Sequence, residues 1–551
     1  MTGKVRLGFC LLVWMLLTAV GWSQPDSPGL WIAVTASDYV ADLEPLCQQR
    51  RQQGFQVIRM EANKLYQQND ALDRRATGIH AFLEERYRAF DGPVYVVLAG
   101  AISRDPSAEL MSTHLAGPLG RHGRMQGKPS DALYGFMDNE YLSRVTVGRL
   151  PARNREEMQA MVAKILCYEQ NGEPGPWNYR LSVLAGNPGG TTPLQRSLAA
   201  QLIQAVGRER LARVHPSWVI QGLIHAKGSP FYVPDAVLNA ESKALLERGQ
   251  AFSFYLGHSG PSGVSSEGMD ILTSRDFGQL NIAGRQGVFF SCGCYAMALK
   301  GDSFFAWKTA QDGYGWAAIR NPHGPAAVMG GATISNAIFG QVGFDQMMTC
   351  LSQAAPPRRL GRYWQAVQEG ITCKPINPFM FKLYDNADGS GGKVPLAEQR
   401  KEHLEMWSLL GDPAMLIPMS TQRIEIGKIS ALIPGQRLEV SGTVDRVLEG
   451  GRVVLALERR FEDVFQVWGQ FDELQPLFQQ ANDVVIAETC GQIKNSAFTA
   501  TVQVPDGLPF QRAVLRIRVD SGDRRAMATK LLAVESAGIV SAEVSGGMTK
   551  P

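Results

Sequence analysis

Two residues suited to nucleophilic chemistry each close a short apolar run, Ala251-Phe-Ser-Phe-Tyr-Leu-Gly-His258 and Gly287-Val-Phe-Phe-Ser-Cys292-Gly-Cys294. Each run is continuously apolar and bounded by Gly, the pattern of a strand buried on both faces of a parallel sheet. About thirty mostly polar or small residues separate them, including a helix-like piece at Ser274 to Leu280, enough for one crossover between neighbouring strands. His258 and Cys294, 36 positions apart, then emerge side by side at carboxyl ends, where open parallel sheets form their ligand crevice. A thiol beside an imidazole that takes its proton is a nucleophile and base pair for acyl transfer.

A lone His or Cys is more often a satisfied structural histidine or a core thiol, but both at adjacent strand ends favour the chemical reading. Cys292 competes with Cys294, because residues two apart on a strand face the same way and pattern alone does not rank them. A Cys292–Cys294 disulfide is geometrically poor, and a zinc site would need ligands that the nearby sequence does not supply. Gly257-His-Ser-Gly260 superficially suggests a serine nucleophile elbow at Ser259, but Pro261 breaks the Gly-x-Ser-x-Gly pattern. No cofactor or metal is expected.

Tyr255-Leu-Gly-His258-Ser-Gly followed by Val288-Phe-Phe-Ser-Cys-Gly-Cys294 resembles the His and Cys motifs of gingipain-type cysteine peptidases, which share the caspase-like fold. Their usual forms are Tyr-x-Gly-His-Gly and an apolar strand ending in Ala-Cys or Gly-Cys; here Ser259 stands where the family usually has Gly. The resemblance implies Cys294 as nucleophile, His258 as base, and the backbone N–H groups of Ser259 and Cys294 as oxyanion donors. Ser259 keeps the N–H but is expected to add a side chain beside the substrate. Val147-Gly-Arg-Leu-Pro151 with Lys164 and Tyr168-Glu169, and Leu409-Leu-Gly-Asp-Pro-Ala-Met-Leu416, extend the likeness over roughly residues 29 to 418. Leu98-Ala-Gly-Ala101 departs from it, since the family commonly ends that strand in Gly-Asp.

The implied function is an exported cysteine endopeptidase acting on protein or peptide substrates through a thioester acyl-enzyme. The alternative is a member that has lost catalysis and serves as a surface binding or scaffold module. In arginine-cleaving members, the segment after the first strand of the catalytic subdomain supplies an acid for the basic side chain and another that orients the histidine. The matching segment here, Leu184-Ala-Gly-Asn-Pro-Gly-Gly190, has no acid, and none occurs between Glu173 and Glu209. A buried cation without a counter-charge is costly, so cleavage without strict Arg or Lys specificity is expected. Asn187 is a candidate to orient His258, as an amide does in some cysteine proteases.

Composition sets the frame for these motifs. A chain of 551 residues needs about three domains. Hydrophobic content of 45% and charged content of 19% are those of a globular protein, and a net charge of +3 without basic clusters argues against a nucleic-acid partner. Lys4 and Arg6 before the apolar run Phe9 to Val20 read as a signal peptide over residues 1–23, too short to span a bilayer comfortably. Export follows, with no integral membrane segment in the mature chain. Its removal takes Cys10 and leaves seven of the eight cysteines, an odd and scattered set unlike a disulfide scaffold. Cys47, Cys167 and Cys350 read as buried apolar side chains on helices. Nothing in the sequence sets the number of subunits.

The elements divide the chain further. Strands at Leu30–Thr35, Phe55–Met60, Val94–Leu98 and Val145–Leu150 alternate with helices over Tyr39–Gln53, Asp70–Phe90 and Arg155–Gln170, which makes residues 24–175 an N-terminal α/β subdomain. Residues 117–129, rich in Gly, Pro and Arg, read as an exposed loop. Residues 176–418 form the catalytic, caspase-like α/β subdomain. It holds strand Leu181–Ala185, helices over Leu194–Val206 and Asp235–Glu247, the two motif strands, a helix near Ser303–Gln311, strand Ala326–Met329, and helices over Phe344–Ser352 and Leu360–Glu369. From 419 to 537 the pattern becomes short alternating strands separated by turns, expected as an immunoglobulin-like β-sandwich. The tail, 538–551, is small, polar and expected to be disordered. Glu84-Glu85 and Glu156-Glu157 lie on helix faces and read as solvated charge.

Overall fold

A computed structural model describes residues 28–535 except 68–69, 103–110, 118–124, 139–140, 171–174, 190–204, 206–207, 305–306, 388–389, 421, 468–474 and 523. The signal peptide expected over 1–23, nearly all of the helix expected over 194–206, much of the loop expected at 117–129 and the tail at 538–551 lie outside the described residues.

Ten strands build the central sheet: β1 Leu30–Thr35, β2 Gln56–Glu61, β3 Val94–Ala99, β4 Thr146–Leu150, β5 Arg180–Gly186, β6 Val219–His225, β7 Phe252–Leu256, β8 Val288–Ser291, β9 Ala327–Gly331 and β10 Trp407–Leu410. Their order is β2-β1-β3-β4-β10-β9-β8-β7-β5-β6. Every ladder is parallel except β9 with β10. β1, β3, β4, β7, β8 and β9 are buried along their whole length, as continuous apolar runs require when helices cover both faces. The four strands of residues 24–175 and the six of residues 176–418 therefore form one sheet, joined where Leu410 of β10 pairs with Arg149 of β4.

Buried charge locks this seam. Arg50, fully buried on the helix Glu44–Gln52, donates to Glu169 at 2.8 Å and to Asp412 at 2.7 Å. Asp412 also accepts from the Trp31 indole at 3.1 Å. Breaking such a cluster leaves a charge buried without its partner, so it fixes the arrangement even where it adds little net stability. A second lock is Lys164 on the helix Arg155–Glu169. Its buried ammonium donates to the carbonyls of Ile319, Asn321 and Pro325 at 2.5, 2.8 and 3.0 Å, clasping the C-terminus of the helix Tyr314–Arg320.

Several elements differ from the sequence reading. β6 was not foreseen, because Gln221-Gly222 interrupts its apolar run. The helix expected near Ser303–Gln311 is instead an antiparallel pair of two-residue strands, Ser303–Phe304 with Trp307–Lys308. The connection between β7 and β8 is more than a crossover helix, since Ser259–Thr273 folds into a three-stranded antiparallel sheet before the one-turn helix Ser274–Phe277. Helices Pro378–Ala387 and Leu396–Met406 were also absent from the reading.

Among the described residues the C-terminal region contains seven strands in two sheets. Ile424–Ile426, Arg437–Val444 and Ala497–Gln503 form one, and Val485–Gln492, Arg452–Glu458, Arg512–Ser521 and Arg524–Ala533 the other. Leu438, Val440, Phe498 and Val502 of the first share a core with Val453, Leu455, Leu515 and Ile517 of the second. Two helices within this region dock on β6, the last strand of the central sheet. The Asn482 amide accepts from the Gly222 N–H at 2.8 Å and donates to the Gly222 carbonyl at 2.9 Å, satisfying a sheet edge that would otherwise invite another strand. Phe461 stacks on Phe231 beside it, with centroids 4.9 Å apart.

Near β10, Glu405 closes the helix Leu396–Met406 with a buried carboxyl that accepts from the Tyr141 hydroxyl at 3.0 Å. Burial, then the neighbouring Glu402 carboxylate, push its pKa up to about 7, against a lowering by Tyr141. A carboxyl pKa raised on folding means that the native state holds the proton more tightly than the unfolded chain. The stability it contributes is therefore complete below the ordinary carboxyl range and lost as pH rises through about 7. Glu405→Gln, neutral at every pH, should melt higher than the native protein at pH 8, and the gap should shrink towards pH 4 in thermal unfolding; a gap that does not change with pH would contradict this.

Candidate active site

Register places the two motif residues. β7 and β8 pair in parallel from Val288↔Phe252 to Ser291↔Tyr255, and the Cys292 N–H extends the ladder to the Tyr255 carbonyl at 2.9 Å. His258 and Cys294 each stand three residues beyond the last partners, at the carboxyl ends of adjacent strands. His258 is exposed there and Cys294 partly buried. β5 ends beside β7, and β6 beside β5, so Cys294, His258, Asn187 and His225 follow strand by strand along one edge of the sheet.

The local sequence explains how the His loop is held. The Tyr255 hydroxyl, buried under the loop, contacts the His258 carbonyl and donates to the Ser265 carbonyl at 2.8 Å. Gly257 lies at φ 146°, and a Cβ there would come within 2.7 Å of that hydroxyl. Only glycine combines this backbone with that approach, which gives Tyr-x-Gly-His a physical reason.

Beyond β8 the chain turns, so the alternation expected to place Cys292 and Cys294 on one face does not reach Cys294. Cys292 packs on the main core, its Cβ against Gly340 of the helix Ala337–Leu351, and burial raises its thiol far above the ordinary range. Cys294 instead receives the Ser335 N–H on its Sγ at 3.3 Å. Ser335 lies two residues before that helix, whose N-cap Asn336 accepts from the Ile338 N–H at 3.1 Å. An N–H and the N-terminus of a long helix beside a sulfur stabilise negative charge on it. No local motif pointed to Ser335; only the tertiary fold brings it in. No disulfide joins the described cysteines.

The Ser259 side chain, expected beside the substrate, is engaged with the Cys294 loop. It turns inward and donates to the Cys294 carbonyl at 2.8 Å.

Asn187 is not an orienter of His258 in this arrangement. Its amide donates to Glu267 at 2.7 Å and accepts from the Gly189 N–H at 3.0 Å. Glu267 and Gly268, both at positive φ, form the two-residue turn of the hairpin that carries Ser266, and this turn reaches over the end of β5. An acid thus arrives beside Asn187 from 80 positions away, invisible to a reading of the segment after β5 alone. Next to it the buried His225 holds the Ser266 hydroxyl at 2.8 Å and Asp235 at 3.1 Å, and stacks on Tyr232. Burial lowers the His225 pKa, partly offset by Asp235. Ser266 is fully buried and already accepts from the Asn187 N–H at 2.9 Å, so this Ser-His-Asp arrangement braces the loop and offers no accessible nucleophile. Among the described residues no group of three or more His, Cys, Asp or Glu is placed to hold a metal ion.

Residues 24–418 match the family model for Peptidase family C25. Among solved structures, that of the Arg specific cysteine proteinase gingipain R (RGPB) covers 93% of this chain and 99% of its own, with 16% identity and a TM-score of 0.51. The complex of Porphyromonas gingivalis RgpB pro- and mature domains covers 92% and 100%, with 15% identity and a TM-score of 0.49. At such identities the likeness of the first speaks for the fold, a mixed α/β architecture around a large, mostly parallel sheet; the second carries no weight of its own. No curated protein sequence matches the chain.

The different surroundings of the two thiols predict their reactivity. Iodoacetamide should alkylate Cys294 in the folded protein and leave Cys292 unmodified until denaturation, read by peptide mapping. On the peptide that carries both residues, Cys294→Ala should abolish the native-state label and Cys292→Ala should retain it, whereas the exposed Cys373 and Cys490 are alkylated in every form. Equal labelling of both cysteines in the native state would contradict the assignment.

Proposed function

The chain belongs to Peptidase family C25 and is a cysteine-type peptidase, and we propose that it is an exported endopeptidase whose nucleophile is Cys294 and whose base is His258. The observation that carries the assignment is the shared register: both residues lie three positions past paired partners on adjacent parallel strands. The Ser335 N–H on Cys294 Sγ adds to it, since it supports a thiolate at Cys294, whereas the thiol of Cys292, partly buried against the core, is pushed up by desolvation.

In this reading the Cys294 thiol gives its proton to His258 and the sulfur attacks the scissile carbonyl carbon. The carbonyl oxygen takes up the negative charge and is held by the backbone N–H groups of Ser259 and Cys294. As the tetrahedral species collapses, protonated His258 delivers its proton to the departing amine, leaving a thioester on Cys294. His258 then removes a proton from water as the water oxygen attacks that thioester, and the proton returns to sulfur as the carboxylic acid leaves. The two groups act as a dyad, because the Asn187 amide is committed to Glu267 and Gly189.

Specificity follows from charge and exposure. Glu267, the acid brought onto Asn187 at the end of β5, is exposed and already accepts from the Asn187 amide. An exposed ion pair is worth at most about 1 kcal/mol, so a basic side chain should be favoured by no more than about fivefold. A cleavage profile over a peptide library should therefore show hydrolysis without strict Arg or Lys preference at the cleaved bond, lost in Cys294→Ala and His258→Ala. A preference of about a hundredfold or more for Arg or Lys, far beyond an exposed pair, would overturn the specificity; undiminished hydrolysis by Cys294→Ala would overturn the function.

A further inference from the structure

Ser259 stands where gingipain-type peptidases usually have glycine, and its hydroxyl closes a ring of hydrogen bonds around the proposed nucleophile. The Gly293 N–H meets Ser291 Oγ at 3.2 Å, Ser291 Oγ lies 2.6 Å from the Tyr314 hydroxyl, Tyr314 reaches Ser259 Oγ at 3.3 Å, and Ser259 Oγ meets the Cys294 carbonyl at 2.8 Å. The backbone from Gly293 to Cys294 completes the circuit.

Hydrogen-bond capacity fixes the direction of every proton in it. A carbonyl can only accept, so Ser259 donates to Cys294. Having spent its one proton, Ser259 accepts from Tyr314; Tyr314 then accepts from Ser291, and Ser291 accepts from the Gly293 N–H. Links that all run one way polarise one another, so the ring holds better than its longest link alone would suggest. Burial favours it as well. Tyr314 and Ser291 are fully buried, and Tyr314 stacks on Phe277 at 5.2 Å. The helix bearing Tyr314 is held at its far end by Lys164.

The sequence around the ring is matched to it. A Cβ on Gly293 would come within 2.1 Å of Ser259 Oγ, so the glycine before Cys294 is what admits the serine side chain. Tyr295, next in the chain, is held at φ 59° with its N–H on the Thr333 carbonyl at 3.1 Å.

We propose that Ser259 and Tyr314 are positioning residues: through the ring, their hydroxyls fix the Gly293–Cys294 peptide so that the Cys294 N–H is aimed at the oxyanion. The proposal rests on the dyad reading above and goes beyond it, since it gives the Ser259 side chain a role in addition to that of its backbone N–H. An oxyanion donor acts on the transition state and hardly on the bound substrate, so loosening it lowers kcat more than it changes KM. Alkylation of the thiol by iodoacetamide builds no oxyanion and should be spared.

The test measures kcat, KM, Cys294 alkylation rate and melting temperature for Ser259→Ala, Ser259→Gly, Tyr314→Phe and the Ser259→Ala/Tyr314→Phe pair. The expected result for each single variant is a kcat lowered roughly 10- to 100-fold with KM and alkylation within about threefold of native. The double variant should be no slower than the slower single, because one broken link opens the ring. Native kcat, within about twofold, in either Ser259 variant and in Tyr314→Phe would overturn the proposal while leaving the dyad intact. Parallel loss of kcat and alkylation with a lowered melting temperature in every variant would also overturn it, in favour of a general packing role. Absence of Cys294 alkylation in the native protein would instead sink the dyad reading itself.

Discussion

The parallel ladder between β7 and β8 is the constraint on which the site depends. Its register pairs Tyr255 with Ser291, and the Cys292 N–H adds one more rung before the two chains part. A parallel ladder evenly fixes both strands along their length, so residues at equal distances past its last pair are delivered to the same level of the sheet. A slip by one residue would exchange the two faces of a strand buried on both sides and is strongly disfavoured. The placement of the proposed dyad is thus inherited from main-chain hydrogen bonds, with side chains refining it.

What surrounds the ladder keeps it from moving. On one side, β9 and β10 link the catalytic strands to the N-terminal four, and Arg50 bridges Glu169 and Asp412 across that seam. On the other, β5 and β6 carry Asn187 and His225, and the sheet edge at β6 is satisfied by Asn482 from the C-terminal region. Lys164 connects the two halves through the helix that bears Tyr314. Burial pushes its ammonium down to about 7, and the three carbonyl acceptors counter that shift by stabilising the charged form.

Much of this was legible in the sequence because the strands that matter are continuous apolar runs bounded by glycine. β1, β3, β5, β7 and β8 were readable on that basis, and Tyr-x-Gly-His and Gly-Cys marked their useful ends. β6 was not readable, since Gln221 and Gly222 interrupt it for reasons that lie in its docking with Asn482. Nor was the arrival of Ser335 at Cys294 or of Glu267 at Asn187, contacts between residues 41 and 80 positions apart that leave no local pattern. The inward turn of Ser259 was hidden for the same reason, as it depends on Tyr314 from a later helix. Periodicity reports which faces are buried; it does not report which distant backbone groups will be brought to a thiol.

Acid quenching of the protein during turnover of an activated peptide ester, followed by mass spectrometry of its peptides, tests the central claim most directly. The account predicts an acyl group on Cys294, accumulating when hydrolysis of the intermediate is slowed and absent in His258→Ala. An acyl group on Cys292 or Ser259, with Cys294 unmodified during turnover, would contradict it.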